Sequence, residues 1–168
     1  MITPAYVRMM AAYNRAMNQQ VYEASARLTD EQRRADRGAF FGSIHRTLNH
    51  ILWADARAVG SFAGSAIPPE DTRFEMYAEF DTLRRKRGEL DDVLVAVADR
   101  LTQSSLDAPS TVSSVATGRT RTWPAGAFIV HLFNHQTHHR GQVTTLLMQL
   151  GQDVGVTDIP WLELDYGF

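Results

Sequence analysis

Apolar residues recur at helical spacing along four long stretches of the chain, and the breaks between them fall on glycine, proline and capping residues. The first stretch starts at Thr3-Pro4, a capping hydroxyl followed by a ring whose missing N–H costs nothing at N1. It runs to about Arg27, with Met10, Tyr13, Met17 and Val21 on one face. Residues 31 to 41 turn polar and then aromatic, which predicts a crossing of the bundle end. The second stretch, Ser43 to about Phe62, places Ile44, Leu48, Ile51, Val59 and Phe62 on one stripe, together with the carboxylate of Asp55.

Gly and Pro content marks residues 64 to 72 as a loop, after which Asp71 or Thr72 is expected to cap a long third helix. Its predicted core face is Phe80, Leu83, Leu90, Leu94, Val97 and Leu101. The run Arg84 to Arg87 is flanked by Glu79, Asp81, Glu89, Asp91 and Asp92, the mixture of a solvated helix surface. Residues 110 to 123 change character: Thr, Val and Ser with a Thr-Gly turn signal predict a short hairpin or an extended crossover. Pro124 then opens a fourth helix at N1 and Gly151 closes it at C′. The tail carries Ile159, Trp161, Leu162 and Tyr166 and is expected to pack back on the body. Together these predict an all-α fold, a four-helix bundle with a short hairpin or extended crossover before the last helix, as a single domain over residues 1–168.

Composition narrows the chemistry. The chain has no cysteine, which excludes disulfides, thiolate metal sites and a protein-borne thiol nucleophile, so any thiol must arrive on a cofactor or substrate. A formal charge of −2 lacks the basic excess that phosphate-backbone binding requires, so no nucleic-acid partner is expected. No signal-peptide core and no membrane-length apolar run appear, and a cytoplasmic protein without a membrane partner is the expectation.

Four of the six histidines lie within residues 131 to 142, HLFNHQTHHRGQ. On a helix His135 and His139 share a face with Phe128, Leu132, Val143, Leu146 and Leu150, whereas His131 lies at its edge and His138 outside it. Apolar surroundings accept neutral imidazoles whose nitrogens find partners, and one metal ion satisfies two rings at i, i+4 together. The bland alternative is a pair of core histidines bonded to backbone, to Gln142 or to Asp55. A third ligand should come from another helix. His50 leads because Ser43, Thr47 and Ala54 beside it let a second helix approach; His45 and His131 are the alternatives. Asp55 is a candidate to orient a ligand imidazole, or equally for a polar contact inside the bundle. No glutamate sits between His135 and His139, so the HExxH chemistry of metalloproteases is not indicated.

The chain resembles the DinB/YfiT-like superfamily through YNRAMNQQV in the first helix, FGSIHRTLNHILWAD in the second and HLFNHQTHHRGQVTTLLMQLG in the fourth, with WP before that helix and DIPWL after it. The resemblance implies an up-down-down-up four-helix bundle, often a homodimer, with a divalent metal held by His50, His135 and His139. Imidazole ligands suit zinc, nickel, copper and iron, and zinc or nickel is the expectation. Relatives include bacillithiol S-transferases and mycothiol-dependent maleylpyruvate isomerases. The implied function is therefore a metal-dependent enzyme using a low-molecular-weight thiol and a small-molecule substrate. Metal-dependent hydrolysis, or a non-enzymatic metal-binding role in stress response, is the alternative.

Overall fold

The computed structural model describes residues 1–63, 66–69, 71, 75–114 and 117–164. Four long helices, α1 (Pro4–Ala26), α3 (Ile44–Ala63), α4 (Phe80–Arg100) and α6 (Ala125–Gln149), carry the architecture. Two five-residue helices, α2 (Asp30–Arg34) and α5 (Gln103–Asp107), and an antiparallel hairpin of β1 (Pro109–Ser113) and β2 (Thr120–Pro124) connect them. Around the bundle the neighbours run α1, α4, α3, α6 and back to α1, so α1 faces α3 across a diagonal.

The core has two apolar clusters. One gathers Val21 and Tyr22, Ile44 to Leu52, Phe80 and Leu83, and Val143 to Leu147; the other gathers Val7 and Ala11, Val59, Leu94 and Ala98, and Ile129 to Phe133. Reading each helix through them gives its direction. α1 and α6 pass from the second cluster to the first, and α3 and α4 pass the other way, which is an up-down-down-up bundle. Because α3 and α4 are parallel neighbours, their connection has to return along the length of the bundle.

Between the clusters every long helix contributes buried polar groups: Asn14 and Asn18, Asp55, Arg87 and Asp91, Gln136 and Arg140. Arg87 Nη1 donates to Asp55 Oδ2 at 2.6 Å, and its Nη2 lies 2.9 Å from Asp91 Oδ1, which also accepts from Asn18 Nδ2 at 2.9 Å. Arg140 donates to Gln136 Oε1 at 2.8 Å and to Asn14 Oδ1. This layer overturns two sequence expectations. Arg87 and Asp91 are buried rather than solvated, and of the expected α1 face Met17 and Val21 are buried as foreseen, whereas Met10 and Tyr13 are only half-buried and Asn14 and Asn18 face inward. Asp55 and Asp91 both face the Arg87 guanidinium, and Arg140 is met by two amide oxygens, so the buried guanidinium groups keep polar partners.

Local signals account for the element boundaries. The Thr3 hydroxyl accepts the Tyr6 N–H, and Pro4 occupies the first turn, as expected. α2 and α5 were not expected, although each follows a capping box: Thr29 with Gln32, and Thr102 with Ser105. α4 begins at Phe80 instead of Asp71 or Thr72; Thr72 itself lies outside the described residues. In the preceding chain Asn49 takes up both the N–H and the carbonyl of Tyr77, so that backbone is not available to a helix. Pro124 is the N-cap of α6 and not N1, since it closes the strand register opposite Pro109. Gly151 takes the expected C′ position at φ +71°, with Gly151 N–H to Met148 and Gln152 N–H to Leu147, the double bond of a Schellman cap.

The tail does return to the body, through Tyr13 Oη to the Thr157 carbonyl, Arg27 to Gln152, and Val154 against the core. Trp161 does not join it and is 76% exposed; Tyr166 lies outside the described residues. No helix among the described residues is long and apolar enough to cross a membrane.

Candidate metal centre

Ser43 starts α3: its hydroxyl accepts the Arg46 N–H, and its buried small side chain, with that of Thr47, lets α6 approach. His50 on α3 thereby meets His135 and His139 on the antiparallel α6. One ring nitrogen from each of the three lies within 4.8 Å of the others, and His50 Nε2 is 3.2 Å from His135 Nε2. Among the described residues no aspartate or glutamate joins the group. The set is three neutral ligands with no protein carboxylate.

The surroundings favour the neutral form of His135 and His139 and bear on the tautomer of His139. Burial, reinforced by the neighbouring His139, His50, His131 and His138 in that order, pushes the His135 imidazolium down to about 3. Burial also lowers His139. His139 Nδ1 lies 2.8 Å from Gln142 Oε1, an atom that only accepts, so Nδ1 carries the proton and Nε2 is left with its lone pair. Three imidazole nitrogens brought within 4.8 Å of one another are a donor set that a divalent ion of imidazole preference accepts, so the residues fit such an ion.

Phe41 forms the wall of the site. Its ring stacks on His50 at 4.0 Å between centroids and lies 5.3 Å from His139. A tight turn aims it there: the Arg37 N–H bonds the Gly42 carbonyl, the Gly42 N–H bonds the Ala39 carbonyl, and Gly42 sits at φ +79°, where L side chains are strained. Trp53 also stacks toward His50, at 5.9 Å between centroids. Phe41 was not singled out in the sequence, although an aromatic pair against Gly42-Ser43, just before the histidine helix, marks such a turn.

The remaining candidates separate cleanly. His45 is buried, with Nε2 3.1 Å from the Tyr77 carbonyl and 3.5 Å from Glu75, and it anchors the lead-in to α4. His131 is exposed, its ring centroid 5.8 Å from that of His135, and it is outside the cluster. His138 is also exposed. Asp55 orients no imidazole; it holds Arg87 in the polar layer. The His139–Gln142 contact expected of a core histidine is present, and it coexists with the convergence of the three rings. Of the two imidazoles expected to face the core, only His139 is buried; His135 is half-buried, because the most inward line of α6 passes through Gln136 and Arg140. A groove of about 600 Å³ lined by Thr144, Met148, Val154 and Thr157 lies at the far end of α6 and includes none of the histidines.

An up-down-down-up helical bundle with three imidazoles converging between two facing antiparallel helices defines a class of bundle proteins that build polar sites inside the helix packing. Within that class the chain belongs to the DinB family, whose profile matches residues 1–165. It is 25% identical over 151 residues to Protein DinB of Bacillus subtilis, covering 87% of each chain. A DinB-like protein from Bacillus cereus superposes with a TM-score of 0.62 at 24% identity, over 83% of this chain and 89% of that one. YfiT from Bacillus subtilis, described as a probable metal-dependent hydrolase with an unusual four-helix bundle topology, superposes with a TM-score of 0.66 at 16% identity, over 91% and 92%.

Proposed function

We propose that His50, His135 and His139 together hold one divalent ion, zinc or nickel, and that the protein is a metal-dependent enzyme acting on an electrophilic small molecule with a low-molecular-weight thiol. The observation that carries this reading is the convergence of three imidazole nitrogens within 4.8 Å, with no fourth protein ligand among the described residues. A divalent ion held there would supply Lewis acidity that lowers the pKa of a thiol brought to its open side.

The chain's own residues support the thiol over other nucleophiles. Three neutral rings leave the ion's charge undiminished, which favours the anionic form of whatever binds it. A general base is missing from the cluster among the described residues, and a thiol, acidic already near neutrality, needs less help to ionise than water does. With no cysteine in the chain, the thiol must come from outside. Phe41, packed across His50, shields one flank of the site from water.

The test is direct. Metal-loaded protein is offered several low-molecular-weight thiols, including bacillithiol, mycothiol and glutathione, together with a chloro-dinitroarene. Metal-dependent conjugation with at least one thiol is expected, and its absence with all of them would reject the transferase reading. One observation favours a second reading: YfiT is described as a probable metal-dependent hydrolase, and the same open position can activate water. Metal-dependent cleavage of activated esters or amides without any thiol would select that reading.

A further inference from the structure

The third imidazole, His139, has a hydrogen-bond partner outside the cluster in Gln142. Gln142 lies three residues after His139 and four after His138, so on the surface of α6 its amide reaches both rings. Its Oε1 is 2.8 Å from His139 Nδ1, and its Nε2 is 3.4 Å from His138 Nε2.

An amide is not symmetric, and only two arrangements of this chain are self-consistent. In one, Gln142 donates to His138 and accepts the Nδ1–H of His139, leaving His139 Nε2 bare. In the other the amide is turned over, His138 donates to the amide oxygen, the amide donates to His139 Nδ1, and His139 Nε2 carries the proton. The second arrangement puts a hydrogen on Nε2, the one nitrogen of His139 that Gln142 leaves available to a metal ion. The observed amide orientation is the first.

We propose that Gln142 is a positioning residue that selects the Nδ1–H tautomer of His139 and so prepares its Nε2 as a ligand, and that the exposed His138 steadies the amide in that orientation. The consequence for metal affinity rests on the three-histidine reading above; the tautomer does not. Outer hydrogen bonds of this kind to ligand histidines are worth about tenfold to a hundredfold in metal affinity.

Two measurements test the proposal on the whole protein. In the metal-free protein, long-range proton–nitrogen correlation spectra should show His139 predominantly as the Nδ1–H tautomer, and Gln142→Ala should remove that preference. With zinc, Gln142→Ala should weaken binding by about tenfold or more, while Gln142→Glu, whose carboxylate accepts the same proton, should restore or exceed the parent affinity. A parent His139 in the Nε2–H form overturns the proposal, as does a Gln142→Ala variant that binds zinc within about twofold of the parent. If the parent protein binds no zinc, the metal reading fails by itself and the tautomer measurement still decides the role of Gln142.

Discussion

His50 and His135 stand 85 residues apart in sequence and bring their Nε2 atoms to 3.2 Å. Two helices of opposite direction, α3 and α6, are needed to make that meeting, and the small residues Ser43 and Thr47 on α3 are buried where the helices approach. The relationship predicts which histidines bind metal. His50→Ala, His135→Ala and His139→Ala should each abolish stoichiometric zinc binding, measured by elemental analysis after loading and desalting. His45→Ala and His131→Ala should leave stoichiometry unchanged, because the first ring is bonded to the lead-in of α4 and the second stands outside the cluster. Full occupancy in a His135→Ala sample would refute the ligand set.

The metal-free protein should lose stability toward acid through His135. Its folded pKa, about 3, lies below the ordinary value of 6.5, so between those limits the unfolded chain binds a proton that the folded protein does not. Stability then falls as pH falls through that window, by up to about 1.4 kcal/mol per pH unit. Asp55 acts in the opposite sense. Burial, against the pull of Arg87, raises its carboxyl from 3.8 to about 7, so its share of stability falls as pH rises between those values. The two slopes offset one another in the parent, and the informative curve is parent minus His135→Phe. That difference in urea unfolding free energy should become more unfavourable to the parent from pH 6.5 downward; a flat difference would show that the ring is not desolvated.

Much of this was legible in the sequence because the relevant signals are local. Helix periodicity located α1, α3 and α6 to within a residue or two, the Thr-Gly turn signal marked the hairpin, and Gly151 marked the last cap. The i, i+4 spacing of His135 and His139, with the small residues around His50, pointed to the same three rings that the structure brings together. The polar layer was hidden for a physical reason. Hydrophobic patterning treats charge as outward-facing, and Arg87 occupies the stripe position four residues after Leu83, where its burial depends on Asp55 from another helix together with Asp91 on its own. The start of α4 differs from the expectation for the same kind of reason, because the hydrogen bonds that occupy the Tyr77 backbone come from Asn49, 28 residues earlier.

Phe41 should matter to the site through its position and not through any ligand atom. Gly42→Ala places a Cβ on a backbone at φ +79°, which should cost about 1 kcal/mol of stability and loosen the turn that carries the ring. Phe41→Ala removes the stack on His50 and a buried aromatic, an expected loss of about 3 kcal/mol in urea unfolding. Both variants should retain metal stoichiometry, since the three imidazoles are untouched, but release zinc to a competing chelator faster than the parent. Unchanged release kinetics in both would show that the ring does not shield the site.

The polar layer makes the sharpest prediction about the fold. Asp55 and Arg87 are both nearly inaccessible to solvent, and Arg87 is shared between Asp55 and Asp91. Asp55→Ala deletes one carboxylate and leaves a guanidinium with half its compensation, which should lower unfolding free energy by about 3 kcal/mol. Removing the whole set is a different experiment. In the triple variant Asp55→Leu, Arg87→Met, Asp91→Leu no unpaired charge remains among these three positions, and apolar side chains of similar size continue the two flanking clusters toward each other. That variant should be more stable than Asp55→Ala alone. The layer also lies level with the metal centre, because Gln136 and Arg140 each directly follow a cluster histidine on α6. If its role is to fix the register between α3 and α6, the triple variant should keep its stability yet bind zinc less tightly than the parent. Zinc affinity equal to the parent's in a stable triple variant would confine the layer's role to packing.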